Sequence, residues 1–213
     1  ATGLPNPFLV ELTPPDITPY AAGTGAIPYI WTFDSGQPGP HVAITAIVHG
    51  NEPCGSLALD WMMRRETRPN RGKLSLAFMN VAAQEAFDPD VPDASRWIDE
   101  DFNRLWSPAT LDDPDRKLTE ELRRAREVRP WLDTVDLLLD IHSMQNKANA
   151  LTIAGLRPKG RDLARSVGYP DLVINDHGHA EGMRMRDYGG FSDPASPRNA
   201  MLVEAGQHWE APA

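Results

Sequence analysis

The chain has 213 residues, a formal net charge of −9, 41% hydrophobic residues and 24% charged residues. This composition is typical of a globular protein, and the length suits one good-sized α/β domain or at most two small ones. The negative charge argues against sequence-independent binding to nucleic acid, which requires a basic surface, and against adhesion to an anionic membrane.

Targeting signals and disulfides are not evident in the sequence. No apolar run approaches the roughly 20 residues of a membrane span, and "ATGLPNPFLVEL" lacks a basic region followed by an apolar one. The single cysteine, Cys54, excludes an internal disulfide, which suits a reducing compartment. We therefore expect a cytoplasmic protein that binds neither nucleic acid nor membrane.

Strands and helices are predicted to alternate along most of the chain, after a lead-in rich in Pro, Gly and Thr at residues 1–26. The predicted elements, in chain order, are strand 27–33, strand 41–48, helix 53–65, strand 73–81, helix 115–132, strand 135–142, strand 149–155, helix 159–168, strand 171–176 and strand 199–206. This order predicts a three-layer α/β sandwich, in which a mixed, mostly parallel sheet has helices on both faces. The connection 82–113 is long, acidic and proline-bearing, which is typical of a functional or disordered segment.

Four polar side chains lie at the ends of predicted strands. His49 follows the apolar run "AITAIV" and Glu52 comes three residues later, whereas His142 follows "LLLDI" and Glu204 follows "NAMLV". In an open α/β sheet, ligands bind outside the carboxyl ends of the strands. We therefore expect these four side chains to converge at one edge of the sheet.

Two histidines and one carboxylate around an open fourth position form a catalytic zinc set. His49 and Glu52 can both point inward from a strand–turn–helix in which Gly50 permits the sharp turn. His142 is the best-placed third ligand, because it ends a neighbouring strand. The alternative for the pair is structural, a polar strand end followed by a carboxylate at a helix N-terminus, and the short spacing alone favours that alternative.

A second polar stretch, "RWIDEDFNRLW", carries Arg96, Asn103 and Arg104 within the long acidic connection. An adjacent asparagine and arginine can clamp a carboxylate, which arginine binds through two parallel hydrogen bonds. The alternative is a solvated loop in which the arginines pair with its acidic residues, Asp99, Glu100 and Asp101.

Four short motifs together resemble a known family. "HGNEPCG", "RWIDEDFNR", "DIHS" and "LVEAGQ" occur in the order and approximate spacing of the succinylglutamate desuccinylase/aspartoacylase group, a branch of the carboxypeptidase A-like zinc metallohydrolases. The resemblance covers residues 49 to 208, although "NVAAQEAF" lacks the Asn-Pro start that is common in relatives.

The resemblance implies one zinc ion per chain. His49, Glu52 and His142 match the zinc ligands of the group, and Glu204 matches its general base. Zinc lowers the pKa of a bound water, and a general base removes the proton from that water and later returns it to the leaving amine.

The resemblance also assigns the polar stretch. Arg96 matches the arginine that polarises the scissile carbonyl and stabilises the oxyanion, whereas Asn103 and Arg104 match the pair that holds the α-carboxylate of the substrate. Asp140 lies on the same strand face as His142, so it either orients that histidine or is a simple strand-end carboxylate.

These residues predict a zinc-dependent hydrolase that cleaves the amide bond of a small N-acyl amino acid. A metallocarboxypeptidase that acts on peptide C-termini shares every one of these residues and remains an alternative. An alternative of another class is a catalytically silent domain that binds metal or a partner. The sequence leaves open the acyl group, the amino acid, the physiological metal and whether the chain forms a homo-oligomer.

Several residues keep two interpretations. Arg184, Arg186 and Tyr188 alternate in "RMRDY", so they either line the pocket from an extended segment or belong to a polar surface loop. Three further histidines are left out of the ligand set, namely His177, His179 and His208.

We expect one catalytic domain over residues 1–213. Members of the group commonly carry a further β-rich domain after the catalytic one. This chain has no segment for that domain, so we expect it to be either a reduced version of the family fold or a fragment of a longer protein.

Overall fold

A computed structural model describes residues 8–211, so part of the predicted lead-in, residues 1–7, lies outside the described residues. The described chain contains one seven-stranded sheet with the order β1-β3-β2-β4-β7-β5-β6. The strands are β1 Ile30–Asp34, β2 His41–Ala46, β3 Lys73–Phe78, β4 Leu137–Met144, β5 Leu151–Ile153, β6 Val173–Ile174 and β7 Asn199–Gln207. The helices are α1 Pro53–Arg64, α2 Val81–Glu85, α3 Pro108–Leu111, α4 Glu120–Leu132 and α5 Pro158–Val167.

The sheet is mixed, as the sequence predicts. Strands β3, β2, β4 and β7 are parallel neighbours, whereas β1 is antiparallel to β3 and β5 is antiparallel to β7. The predicted α/β class is confirmed. No helix among residues 8–211 has the length and apolarity that crossing a membrane requires.

Two hydrophobic clusters hold the helices to the sheet. One contains Leu122, Val128 and Leu132 of α4 together with sheet residues such as Ala43 and Leu138. The other contains Leu59 of α1 together with Leu74, Leu76 and Phe78 of β3. The central strands are therefore covered by apolar side chains from both directions, which explains their nearly unbroken apolar sequences.

The predicted and observed elements differ chiefly at their ends. Strand β2 stops at Ala46, because Ile47 adopts a left-handed backbone conformation with φ of 55°. The predicted strand 73–81 stops at Phe78, and α2 starts at Val81. Short helices occupy much of the connection 82–113, so this segment is ordered rather than disordered.

The chain reverses direction across the sheet between β2 and β4. From β2 it proceeds to β3 on one side, and it later returns to place β4 on the other side of β2. Ligands bind at such a switch point, outside the carboxyl ends of the strands. The turn after β2 and the end of β4 therefore share the position at which this fold class forms its binding sites.

Gly50, in the turn after β2, packs so closely against the backbone of α2 that no side chain fits at this position. A Cβ at Gly50 would lie 2.2 Å from the carbonyl carbon of Ala83, whereas real Cβ atoms do not approach backbone closer than 3.0 Å. From the sequence, Gly50 is expected to provide the backbone freedom for a sharp turn. In the structure, the residue of this segment with a left-handed backbone is Ile47, not Gly50. The glycine is therefore needed for space.

Replacing Gly50 by alanine is expected to lower the free energy of unfolding by about 1–3 kcal/mol or more, because the added methyl group forces α2 away from the turn. Chemical denaturation measures the change. Gly25→Ala is the matched control, since a Cβ at Gly25 meets nothing within 4 Å. Equal stability of the two variants would contradict this account of the turn.

Candidate active site

Three buried side chains meet at the switch point. His49 follows β2, Glu52 is the residue before the first turn of α1, and His142 lies in β4. One ligand atom from each lies within 4.8 Å of the other two. The three residues are only 3%, 2% and 2% exposed, respectively. A protein interior does not hold such groups together without a specific arrangement of partners.

Both imidazole rings turn the same nitrogen toward Glu52. His49 Nδ1 lies 2.7 Å from Glu52 Oε1, and His142 Nδ1 lies 3.1 Å from Glu52 Oε2. The other nitrogen of each ring contacts a different carboxylate. His49 Nε2 lies 3.1 Å from Asp101 Oδ1, and His142 Nε2 lies 2.9 Å from Asp140 Oδ2. Histidines that bind a metal almost always donate their other N–H in this way, so the donor set fits zinc.

The side chain of Glu52 does not cap helix α1. It makes no hydrogen bond to the N–H groups of the first helical turn. Instead it accepts one from the Ser143 backbone N–H at 2.9 Å and one from Arg96 Nη1 at 3.2 Å. The structural alternative for the His-x-x-Glu pair, a carboxylate stabilised by the helix terminus, therefore does not describe this residue.

Asp140 and Asp101 fix the outer sides of the two rings. Asp140 also accepts a hydrogen bond from Thr45 Oγ1 at 2.7 Å, and these two residues are register partners in β4 and β2. One alternative from the sequence, in which Asp101 pairs with a loop arginine, agrees with the structure, because Asp101 Oδ2 lies 3.6 Å from Arg104 Nη2. The contact of Asp101 with His49 is a second one, which the sequence analysis does not predict. The one sequence signal was its place inside the polar stretch, two residues before Asn103.

The buried carboxylates and imidazole rings of the site stabilise one another's ionised forms. Burial acts to raise the pKa of Glu52, but the rings of His49 and His142 outweigh it and hold this pKa well below its ordinary value. Burial acts to lower the pKa of His142, and Asp140 and Glu52 instead hold it well above the ordinary value. Burial likewise opposes the ionised form of Asp101, yet contact with His49 brings its pKa down to about 2.

The Arg96 guanidinium contacts two of the three clustered side chains. Its Nη1 lies 3.2 Å from Glu52 Oε1, and its Nη2 lies 3.1 Å from His49 Nε2. The carbonyl oxygen of Arg96 accepts a hydrogen bond from the Gly50 N–H at 3.1 Å. The polar stretch is thus tied by both backbone and side chain to the turn that carries His49 and Glu52.

Asn103 and Arg104 face the same cavity from a short 3-10 helix. Asn103 Oδ1 accepts a hydrogen bond from the Met185 N–H at 2.9 Å, which fixes the amide group. Arg104 Nη1 donates to the Asn103 carbonyl oxygen at 2.9 Å. Arg104 Nε is buried without a hydrogen bond among the described residues. The guanidinium has two longer ion-pair contacts, 3.6 Å from Nη2 to Asp101 and 3.9 Å from Nε to Glu181.

Glu204 lies beside the cluster on the next strand. It is the register partner of His142 in the parallel pair of β7 with β4. Its Oε2 atom is buried and has no hydrogen-bond partner among residues 8–211. Burial raises the pKa of Glu204 to about 8, an effect that the nearby His142 only partly offsets.

The predicted site residues all line one cavity of about 1420 Å³. These seven residues are His49, Glu52, Arg96, Asn103, Arg104, His142 and Glu204. Of the histidines left out of the ligand set, His179 and His208 line this cavity, whereas His177 lines a smaller recess.

Of the three residues that alternate in "RMRDY", Arg184 lines the cavity, whereas Arg186 and Tyr188 make structural contacts. A 3-10 helix at Met185–Asp187 breaks the alternation that an extended segment would give. Arg184 lines the cavity, whereas Arg186 donates to two buried carbonyl oxygens, at 3.0 Å and 2.6 Å. The Tyr188 hydroxyl donates to Asp133 at 2.9 Å, away from the cavity.

Glu121 of α4 anchors the polar stretch from behind. This carboxylate is 0% exposed and accepts hydrogen bonds from the backbone N–H groups of Ile98, Asp99 and Glu100, at 2.7, 3.0 and 3.3 Å. It also accepts one from Asn80 Nδ2 at 3.2 Å. This role has no signal in the sequence, because Glu121 is one of many charged residues in a helix with a surface pattern.

Comparison with known proteins shows that residues 38–195 match the family model of the succinylglutamate desuccinylase/aspartoacylase catalytic domain. The matched span includes the clustered histidines and Glu52, together with the polar stretch, and it ends before Glu204. A curated relative is the N-acyl-aromatic-L-amino acid amidohydrolase (carboxylate-forming) of Rattus norvegicus. It is 34% identical over 131 residues, which are 56% of this chain and 38% of that protein.

Two solved structures share the fold at low sequence identity. The succinylglutamate desuccinylase of Chromobacterium violaceum gives a TM-score of 0.62 at 18% identity, over 86% of this chain and 58% of that one. Murine aminoacylase 3 gives a TM-score of 0.54 at 22% identity, over 80% of this chain and 56% of that one. The chain therefore spans well under two thirds of the length of each of these proteins.

Removing the Glu121 carboxylate is expected to loosen the polar stretch. Glu121→Ala should lower the free energy of unfolding by about 3 kcal/mol, because three backbone N–H groups and the Asn80 amide lose their common acceptor. It should also speed proteolysis within residues 88–104, which mass spectrometry can locate. Glu120→Ala is the control on the same helix, where loss of a partly exposed ion pair costs under about 1 kcal/mol. Similar effects of the two variants would contradict the anchoring role.

The metal-free protein should gain stability from Glu204→Gln, and the gain should grow with pH. The folded-state pKa of Glu204 is about 8 against an ordinary 4.5, so the folded state binds the extra proton and ionisation destabilises it between these values. The variant should therefore exceed the wild type in melting temperature more at about pH 9 than at about pH 5. A difference that shrinks as the pH rises would contradict the burial of an unpaired carboxylate.

Proposed function

Because the chain belongs to the succinylglutamate desuccinylase/aspartoacylase catalytic-domain family, we propose that it is a zinc-dependent hydrolase that cleaves the amide bond of N-acyl amino acids. The curated relative is named as an amidohydrolase that forms a carboxylate, which supports amide hydrolysis over other reactions. We further propose one zinc ion per chain, held by His49, Glu52 and His142.

One observation carries the proposal: a buried cluster of two histidines and a carboxylate lies beside a carboxylate oxygen that has no partner. The three ligand atoms lie within 4.8 Å of one another, and Glu204 Oε2 is buried without a hydrogen bond among the described residues. An unpaired buried carboxylate costs free energy, so its presence beside a metal set favours a chemical role over a structural one.

The proposed role of Glu204 is that of general base and acid. When bound, zinc supplies Lewis acidity that lowers the pKa of water and polarises a carbonyl group. Glu204 takes the proton of the attacking water at a carboxylate oxygen and later delivers it to the nitrogen of the leaving amine. Burial raises the pKa of Glu204 in the metal-free protein, and the charge of a bound zinc ion would favour the ionised form that accepts the proton.

Arg96, Asn103 and Arg104 are proposed to bind and orient the substrate. The Arg96 guanidinium, beside Glu52 and His49, can donate hydrogen bonds to the oxygen of the scissile carbonyl as negative charge develops. Arg104 lines the same cavity, and its Nε–H makes no hydrogen bond among the described residues, which suits the α-carboxylate of an amino acid. Because Met185 fixes the Asn103 amide, this end of the substrate would be held in one orientation.

Glu204→Gln should lower kcat on N-acyl amino acids by about 10²–10⁴-fold, because the amide cannot accept the proton. Zinc content, measured by mass spectrometry, should stay near one per chain, because Glu204 is not among the proposed ligands. Glu85→Gln, an exposed residue outside the cavity, is the control and should leave kcat unchanged.

Full activity of Glu204→Gln, or less than one zinc per chain after zinc loading, would contradict the proposal. The same assay separates the alternatives. Preferential release of C-terminal residues from peptides would identify a metallocarboxypeptidase, and zinc binding with no amide hydrolysis would identify a catalytically silent domain.

A further inference from the structure

An unpaired amide group lies between two of the proposed metal ligands. Asn51 follows Gly50 and precedes Glu52, lines the main cavity and is only 1% exposed. Neither Nδ2 nor Oδ1 has a hydrogen-bond partner among residues 8–211. A buried donor and a buried acceptor that are both unpaired destabilise the protein, so this position favours a ligand that offers both.

A histidine on the same cavity wall also has a free nitrogen. His208 Nδ1 lies 2.8 Å from the Ser143 hydroxyl oxygen, and Nε2 makes no hydrogen bond within the part of the chain that the structure describes. Burial lowers the pKa of His208, so the ring is neutral at neutral pH. A register shift between His142 and Met144 redirects Ser143, and such bulges re-aim side chains near active sites.

Trp209 joins Asn51 and His208 into one surface. Its indole Nε1 donates to the Asn51 carbonyl oxygen at 3.0 Å, and its rings lie 5.4 Å from the His208 ring. We call the cavity surface formed by Asn51, Ser143 and His208 the polar wall. Its side chains are all uncharged, and two of them have free hydrogen-bonding atoms.

The polar wall and the proposed carboxylate clamp are built on different segments of the chain. The clamp contacts residues 181–185, where Asn103 Oδ1 accepts a hydrogen bond from the Met185 N–H and Arg104 lies near Glu181. The polar wall is formed by the turn after β2, by β4 and by the residues after β7, which Trp209 ties together. Arg96 contacts His49 and Glu52, which flank Asn51 in the sequence. An amide bound at Arg96, with its amino acid at Arg104, would leave the polar wall to its acyl group.

We propose that the polar wall binds an uncharged hydrogen-bonding group at the end of the substrate's acyl chain, such as a carboxamide. This inference rests on the proposed function and specifies its substrate class. A carboxamide supplies both the acceptor that Asn51 Nδ2 lacks and the donor that Asn51 Oδ1 lacks.

Charged and purely apolar acyl chains fit this wall less well. None of the three side chains of the wall carries a fixed positive charge that would pair with a carboxylate, and the acidic Asp93 lines the same cavity. A hydrocarbon would leave both amide atoms of Asn51 unpaired on binding. Sites built to bind a polar group reject analogues that lack it for this reason.

The test compares four N-acyl derivatives of one amino acid with the zinc-loaded protein. The acyl groups are acetyl, succinamoyl, succinyl and isocaproyl, and the last three share size and shape but end in an amide, a carboxylate and a hydrocarbon. The kcat/KM for the succinamoyl derivative should exceed that for either isostere by at least about tenfold. Rates are expressed per bound zinc, because Asn51 adjoins proposed ligands.

Two variants of the wall and one control locate the preference. Asn51→Leu and His208→Phe should each reduce the ratio of succinamoyl to isocaproyl kcat/KM to within about threefold of unity. Asn146→Leu removes an exposed amide from the same cavity and should leave this ratio unchanged.

Each other outcome overturns a defined claim. Hydrolysis of the panel without a preference for the succinamoyl derivative overturns the polar wall and leaves the proposed function intact. The same holds if Asn51→Leu lowers kcat/KM equally for the succinamoyl and isocaproyl derivatives. A preference for succinyl overturns the uncharged class. Hydrolysis of none of the four derivatives by zinc-loaded protein overturns the proposed function, and this inference with it.

Discussion

The carboxylate of Glu52 is the group on which the arrangement of the site depends. Two imidazole nitrogens, one guanidinium and one backbone N–H converge on its two oxygens within 3.2 Å. These partners come from the turn after β2, from β4 and from the polar stretch. Because a buried carboxylate must be paired, its burial forces these three segments together, and the switch point of the sheet is where they can meet.

Other buried carboxylates extend this organisation outward. Asp140 and Asp101 hold the outer nitrogens of the two histidines, and Glu121 holds the backbone that carries Arg96 and Asp101. Each of these carboxylates has partners for its oxygens. Glu204 differs, since one of its oxygens has no partner among the described residues, and this contrast supports the chemical role proposed for it.

The fold, the family and the contact of Asp140 with His142 were predictable from the sequence, whereas the contacts of Asp101 and Glu121 within the site were not. Central strands covered on both faces have continuous apolar runs, so β2 and β4 were evident, and the polar residues after them marked the edge at which ligands bind. The family resemblance inferred from four motifs is confirmed by the match over residues 38–195. By contrast, Glu121 is indistinguishable in sequence from its partly exposed neighbour Glu120. Its burial results from a loop that folds back on α4, a tertiary contact that local pattern does not encode.

X-ray diffraction of zinc-loaded crystals at the zinc absorption edge tests the central claim most directly. The account predicts one anomalous peak per chain, at about 2.0–2.2 Å from the Nδ1 atoms of His49 and His142 and from a carboxylate oxygen of Glu52. Their Nε2 atoms should keep their contacts with Asp101 and Asp140. A peak at other residues, or none between these three side chains, would contradict it.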